Sequence, residues 1–202
     1  MTLPSSSAGP VTQEVGFINA PAATVAPWHC DGLGEDWRIG QPVWQSLGDA
    51  AADLAPSPVY TRSAVVPVDG WTLLLTNGPL GTDVGMVPSL AARELHSRAI
   101  RAVCVADGED KYSARILGVF GPDGGGPLLS RRSIAAANDG GRWVFETSGD
   151  PFPFERLDQY TRRRKSERLT PDTLYEYLRK LDVPIDVEPD WANSRLIELG
   201  SM

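Results

Sequence analysis

An α+β fold, with a mainly antiparallel sheet backed by helices and a C-terminal helical pair, is the class that this sequence predicts. Three observations lead there. β-rich runs fill much of residues 59–148, the Asp-Gly and Gly-rich turns between them are short enough for antiparallel neighbours, and helical period takes over after residue 153.

Taken in order, residues 1–12 are rich in Ser, Pro and Gly and read as a disordered tail, followed by a single domain over 13–202. Gln13 to Asn19 has strand character and precedes the Pro- and Ala-rich APAATVAPW. Between Pro42 and Leu54 the apolar residues Val43, Leu47, Ala50, Ala51 and Leu54 recur at three and four, so a helix is expected there with Pro42 in its first turn. VYTRSAVVPV and WTLLLT form a hairpin around Asp69-Gly70, with Pro67 at a strand end. A helix from Pro88 to Arg98 buries Leu90, Ala91 and Leu95, and Ile100 to Val105 returns to β character. KYSARILGVFGP, LLSRRSIAAAN and RWVFETS are three further strands, divided by PDGGGP and by Asp139-Gly140-Gly141. Phe154, Leu157, Tyr160 and Thr161 open a helical stretch. Leu174, Tyr177, Leu178 and Leu181 then make a stripe behind Thr170, Pro171 and Asp172, a cap, a first-turn proline and a favourable charge.

Composition excludes several classes. With 42% hydrophobic and 22% charged residues the chain can bury a core. No apolar run approaches bilayer length, and MTLPSSSAGP lacks the basic and apolar regions of a signal peptide, so a cytoplasmic, membrane-free protein is expected. Cys30 and Cys104 form no CxxC and are expected to stay reduced, in a monomer or weak dimer. The net charge is -7, unevenly spread: residues 1–58 hold one Arg against six acids, whereas 155–181 hold eight basic residues against five acids. Such a balance disfavours nucleic acid and suits a basic protein partner.

Motifs for chemistry are sparse. TNGPLGTDVG lies between a strand and a helix, where backbone N–H groups could meet a phosphate, but its spacing matches no phosphate motif, and turn geometry accounts for Gly78, Gly81 and Gly85. GLGEDW ends in Trp37 where a dinucleotide fingerprint needs a small residue. His29, Cys30 and Asp31 are consecutive, and consecutive side chains rarely converge on one ion. No metal, cofactor or catalytic residue is assigned, and His29 reads as a half-buried loop residue. Arg131 and Arg132 must point to opposite faces of a strand, and Trp143 and Phe145 to the same face. Phe152 and Phe154 pin the crossing from sheet to helix. Arg164 and Arg168, four apart on a helix with Tyr160 one turn earlier, could grip a carboxylate or phosphate. A solvated face pairing with Glu155, Asp158 or Glu167 is the commoner use of such a stripe.

The succession RSIAAANDGGRWVFETSGDPFPFE, YTRRRKSERLT and L-x-x-Y-L-x-x-L resembles a group of uncharacterised proteins common in actinobacteria, and high Ala, Gly, Pro and Arg usage with three Lys fits a high-GC coding background. The resemblance covers the C-terminal half, extends faintly through WTLLLTNGPLGTDVG, and implies no activity. In that group an Arg-Phe pair commonly precedes the final helix; Arg168-Leu169 stands here and preserves an apolar contact.

The expected function is a protein-interaction module of the immunity or antitoxin type, with Asp31, Glu35 and Asp36 as partner-binding candidates. The alternative is an anionic-ligand or enzymatic site between the 78–85 loop and the Arg-bearing C-terminal helix, with Gly78, Gly81, Arg164 and Arg168 as candidates.

Overall fold

Nine antiparallel strands form one sheet in the computed structural model, which describes residues 13–54, 59–78, 84–105 and 112–200. The strands are β1 (Glu14–Ile18), β2 (Trp37–Gly40), β3 (Arg62–Val68), β4 (Trp71–Thr76), β5 (Ala99–Val105), β6 (Ala114–Gly125), β7 (Ser130–Asp139), β8 (Arg142–Ser148) and β9 (Arg195–Leu199). Their spatial order is β2-β9-β3-β4-β1-β5-β6-β7-β8. Turn chemistry joins the hairpins as the sequence predicts: Asp69 and Gly70 take positive φ values of 43° and 78° between β3 and β4, a mirror-image turn that matches strand twist. Gly140 and Gly141 do the same between β7 and β8.

Helices cover both faces. Helices α1 (Ala22–Leu33) and α3 (Val87–Glu94) bury Val25, Ala26, Cys30, Ala91 and Ala92 against Ile18, Val65, Leu74 and Ile197. On the other face α2 (Leu47–Asp53) and α4 (Pro171–Lys180) close over Phe17, Leu73, Leu75, Ile100, Leu117 and Ile134, with Leu174, Tyr177 and Leu178 pointing inward. β4 is buried along its whole length because it is covered on both sides, which explains the unbroken apolar run LLL. Cys30 and Cys104 pack in opposite layers, so the sheet itself keeps these free thiols apart.

Several elements differ from the sequence reading, each for a physical reason. His29 belongs to α1, not to a loop: the helix tolerates Pro27 in its interior because Val25, Ala26, His29 and Cys30 are buried beneath it. α2 starts later than Pro42, at the Ser46 cap whose side chain accepts the Asp49 N–H. α3 ends at Glu94, and His96 beyond it has a φ of 50°. β6 runs through most of PDGGGP before turning at Gly126. The helical stretch before α4 consists of two 3-10 turns, Gln159–Thr161 and Lys165–Glu167, so Arg164 and Arg168 do not share a helix face. The Glu155 carboxylate anchors that segment by accepting the Phe152 N–H and the Tyr160 hydroxyl. β2 and β9 carry no sequence signal that predicts them; each exists through pairing with the other and, for β9, with β3. α4 itself begins as predicted: Thr170 accepts the Thr173 N–H at 3.2 Å ahead of Pro171. The tail 1–12 lies outside the described residues, as does Gly81.

Candidate functional site

The three acidic candidates come together at one corner of the molecule. Asp31 is in the last turn of α1, Glu35 and Asp36 lie in the turn that leads into β2, and all three are exposed. Gly34 makes this turn at a φ of 110°, and its N–H donates to the Asp31 carbonyl at 3.3 Å. Asp31 and Glu35 line a depression of about 390 Å³ together with Cys30, Gly34, Trp37 and Arg38. Burial and the charge of Asp31 push the Cys30 thiol up, with Arg38 opposing, so the thiol is a poor nucleophile near neutral pH.

β2 is an outer strand of the sheet and, among the described residues, pairs only with β9. The Gly200 N–H reaches the Asp36 carbonyl, so by alternation the main-chain groups of Trp37 and Ile39 face outward. Arg38 donates to the Trp37 carbonyl at 2.8 Å and also to the Glu35 carbonyl, which blunts that edge against further strand pairing. What remains open is side-chain surface. Ile39 is 43% exposed, and Leu199, paired with Trp37, is exposed on the same sheet face. An acidic rim next to uncovered apolar side chains is a surface that can take a protein, with charge guiding approach and apolar contact holding it.

Beneath this corner His29 is buried with its Nε2 2.9 Å from the Tyr60 hydroxyl and 3.1 Å from Ser63 Oγ. Burial lowers its pKa from 6.5 to about 4, so the imidazole is neutral near pH 7. Burial pushes the Tyr60 phenol up to about 12, although the Ser63 hydrogen bond acts the other way. A serine beside a histidine is the pair to inspect for acyl transfer, but Ser63 has no exposed surface and lies under α1. The pair is structural.

A second buried cluster lies on the opposite face. Arg132 grips Glu155 with two parallel bonds, Nε to Oε1 at 2.9 Å and Nη2 to Oε2 at 2.6 Å, and its Nη1 donates to the Ser148 and Gly149 carbonyls. Glu155 also accepts the Phe152 N–H and the Tyr160 hydroxyl, which sits 3.3 Å from that of Tyr177. Burial would lower the Arg132 guanidinium, but the hydrogen bonds and charge of Glu155 outweigh it and hold the group above its ordinary value. Burial, then the Tyr177 hydroxyl and Glu155, push the Tyr160 phenol far up. Gly149 is required here: its φ is 77°, and a Cβ would come within 2.2 Å of the Arg131 carbonyl. Arg131 faces the other way, as alternation predicts, and pairs with Asp123 at 3.3 Å. Phe152 and Phe154 stack at 5.2 Å at the crossing. The sequence reads Glu155 as one of several solvated acids, because its partner Arg132 lies 23 residues away on β7 and no local pattern marks the burial.

The anionic-ligand candidates are dispersed. Arg164 is exposed and lies 3.4 Å from Glu167. Arg168 stacks over Phe145 of β8 at 5.4 Å and donates to the Arg162 carbonyl. Gly78 is buried just past β4. Four strands lie between β4 and β8, roughly 24 Å at about 4.8 Å per step, so Gly78 and Arg168 do not converge. Among the described residues no group of His, Cys, Asp or Glu is arranged to hold a metal ion, and no helix is long and apolar enough to cross a membrane. Comparison of the chain with family models, with curated proteins and with solved structures found no match to any of them.

Proposed function

We propose that this chain is a cytoplasmic protein-interaction module that docks a basic partner on the α1–β2 corner, covering the partner's active site as immunity proteins and antitoxins do. The observation that carries the reading is the juxtaposition of Asp31, Glu35 and Asp36 with the uncovered Ile39 on a blunted outer strand and Leu199 on the strand it pairs with. The net charge of -7 supports it, since a complementary field raises the association rate. Arg38 is the one basic residue lining the acidic depression, and with Asp31, Glu35 and the adjoining Asp36 set against its single positive charge the rim keeps its negative sign.

Capture of the partner from native lysate, followed by titration against variants, tests this. Charge reversal of Glu35 and Asp36 to Lys slows association about tenfold or more at low salt and flattens its salt dependence, while Arg164→Gln with Arg168→Gln leaves both unchanged. The reverse ranking, together with Arg-dependent stabilisation by a nucleotide or sugar phosphate and no captured protein, would overturn the reading in favour of an anionic-ligand site.

A further inference from the structure

A second concavity lies on the same face as α1 but at the helix's N-terminal end, away from the acidic corner. It measures about 620 Å³, within the range of small-molecule sites. Its walls are mainly apolar: Ala23, Ala26 and Pro27 from α1, Ile39 from β2 and Trp71 from β4. Among the residues that line it, Arg195 at the start of β9 is the one that carries a charge. The Arg195 guanidinium is held in place by Nη1 bonds to the Asn193 and Ser194 carbonyls, at 3.0 and 2.8 Å. Among the described residues no carboxylate pairs with it.

We infer that this groove binds a small amphipathic monocarboxylate, its apolar body against Ile39, Ala23 and Trp71 and its carboxylate on Arg195. Three features select that chemistry. An apolar groove of this size takes a hydrocarbon or aromatic body rather than a sugar. A positioned guanidinium without a carboxylate partner favours one anion, which it can meet through charge-assisted hydrogen bonds. A polyanion is disfavoured by the charge of the chain, which falls heavily on its N-terminal third, whereas a single carboxylate meets the least repulsion. The groove meets the proposed protein-docking surface at Ile39 but takes its charge from Arg195, so its test does not rest on that reading.

Titration calorimetry of the intact chain with octanoate, octan-1-ol and octylamine tests the inference. Octanoate binds about ten- to a hundredfold more tightly than the alcohol, the worth of a hydrogen bond to a charged group, and the amine binds weakest. Affinity for the carboxylates rises roughly fourfold per methylene from hexanoate to octanoate. Arg195→Gln removes the preference for octanoate over octan-1-ol while retaining alcohol binding. Ala23→Trp, a change at an exposed helical position that fills the groove, abolishes binding of all three probes. The proposal is overturned if octylamine matches octanoate, if the carboxylate preference survives Arg195→Gln, if Ala23→Trp binds octanoate like the unaltered chain, or if no probe binds.

Discussion

Two polar clusters are buried against opposite faces of the same sheet, and they satisfy burial in different ways. Under α1, His29, Tyr60 and Ser63 form an uncharged set, in which the histidine stays neutral because burial has lowered its pKa to about 4. On the α4 side, Arg132 and Glu155 are both charged, with side chains 4% and 0% exposed, and carboxylate oxygens and main-chain carbonyls accept from all three guanidinium nitrogens. The difference is one of vulnerability. A neutral cluster is exposed to protonation, whereas an ion pair is exposed to the loss of either partner, since the survivor is then a buried charge without compensation.

The largest expected effect comes from breaking the ion pair. Glu155→Ala leaves Arg132 buried and removes the acceptor for Phe152 N–H and the Tyr160 hydroxyl, at a cost of about 3 to 5 kcal/mol in denaturant unfolding. A loss below about 1 kcal/mol would mean that the pair is solvated and the contrast between the clusters is false.

Acid attacks the other cluster. His29 has a folded pKa of about 4 against 6.5 unfolded, so between these values the unfolded chain binds more protons and stability falls as pH falls. Its contribution is fully present above pH 6.5 and is lost progressively toward pH 4, about 3 kcal/mol in all. Unfolding curves of the unaltered chain and of His29→Gln, measured across pH 4 to 7, isolate the effect from that of carboxylates. The difference in slope between them disappears if His29 is not titrated in this window.

The smallest effect sharpens the comparison at single hydroxyls. Tyr160→Phe removes a hydrogen bond to a carboxylate and costs about 2 kcal/mol, whereas Tyr60→Phe removes one to a neutral ring and costs about 1 kcal/mol. In a Glu155→Ala background the Tyr160 cost shrinks while the Tyr60 cost persists, which a double-mutant cycle reads directly. Equal costs in both backgrounds would show that the charge of Glu155 adds nothing.

How much of this was legible depended on the range of the interaction. The β3–β4 and β7–β8 hairpins were readable because Asp69-Gly70 and Gly140-Gly141 set local geometry. The opposite facing of Arg131 and Arg132 followed from strand period alone. α1 was hidden by Pro27, whose local cost is offset by burial of residues on either side of it. The acidic corner was named residue by residue, yet the apolar neighbours that give it a surface, Ile39 on β2 and Leu199 on β9, depend on a pairing between distant segments. The same pairing builds the groove that holds Arg195, a residue that no motif singled out.

By itself the sequence determined the α+β class, most of the strands and the α4 cap, because period, turn residues and capping act over a few positions. Only the tertiary structure decided that β9 enters between β2 and β3, that Glu155 is buried on Arg132 and that Arg164 and Arg168 leave any common helix face. Those outcomes rest on main-chain pairing and desolvation between segments far apart in the chain. The free energy of such contacts depends on what surrounds a residue rather than on which residues adjoin it.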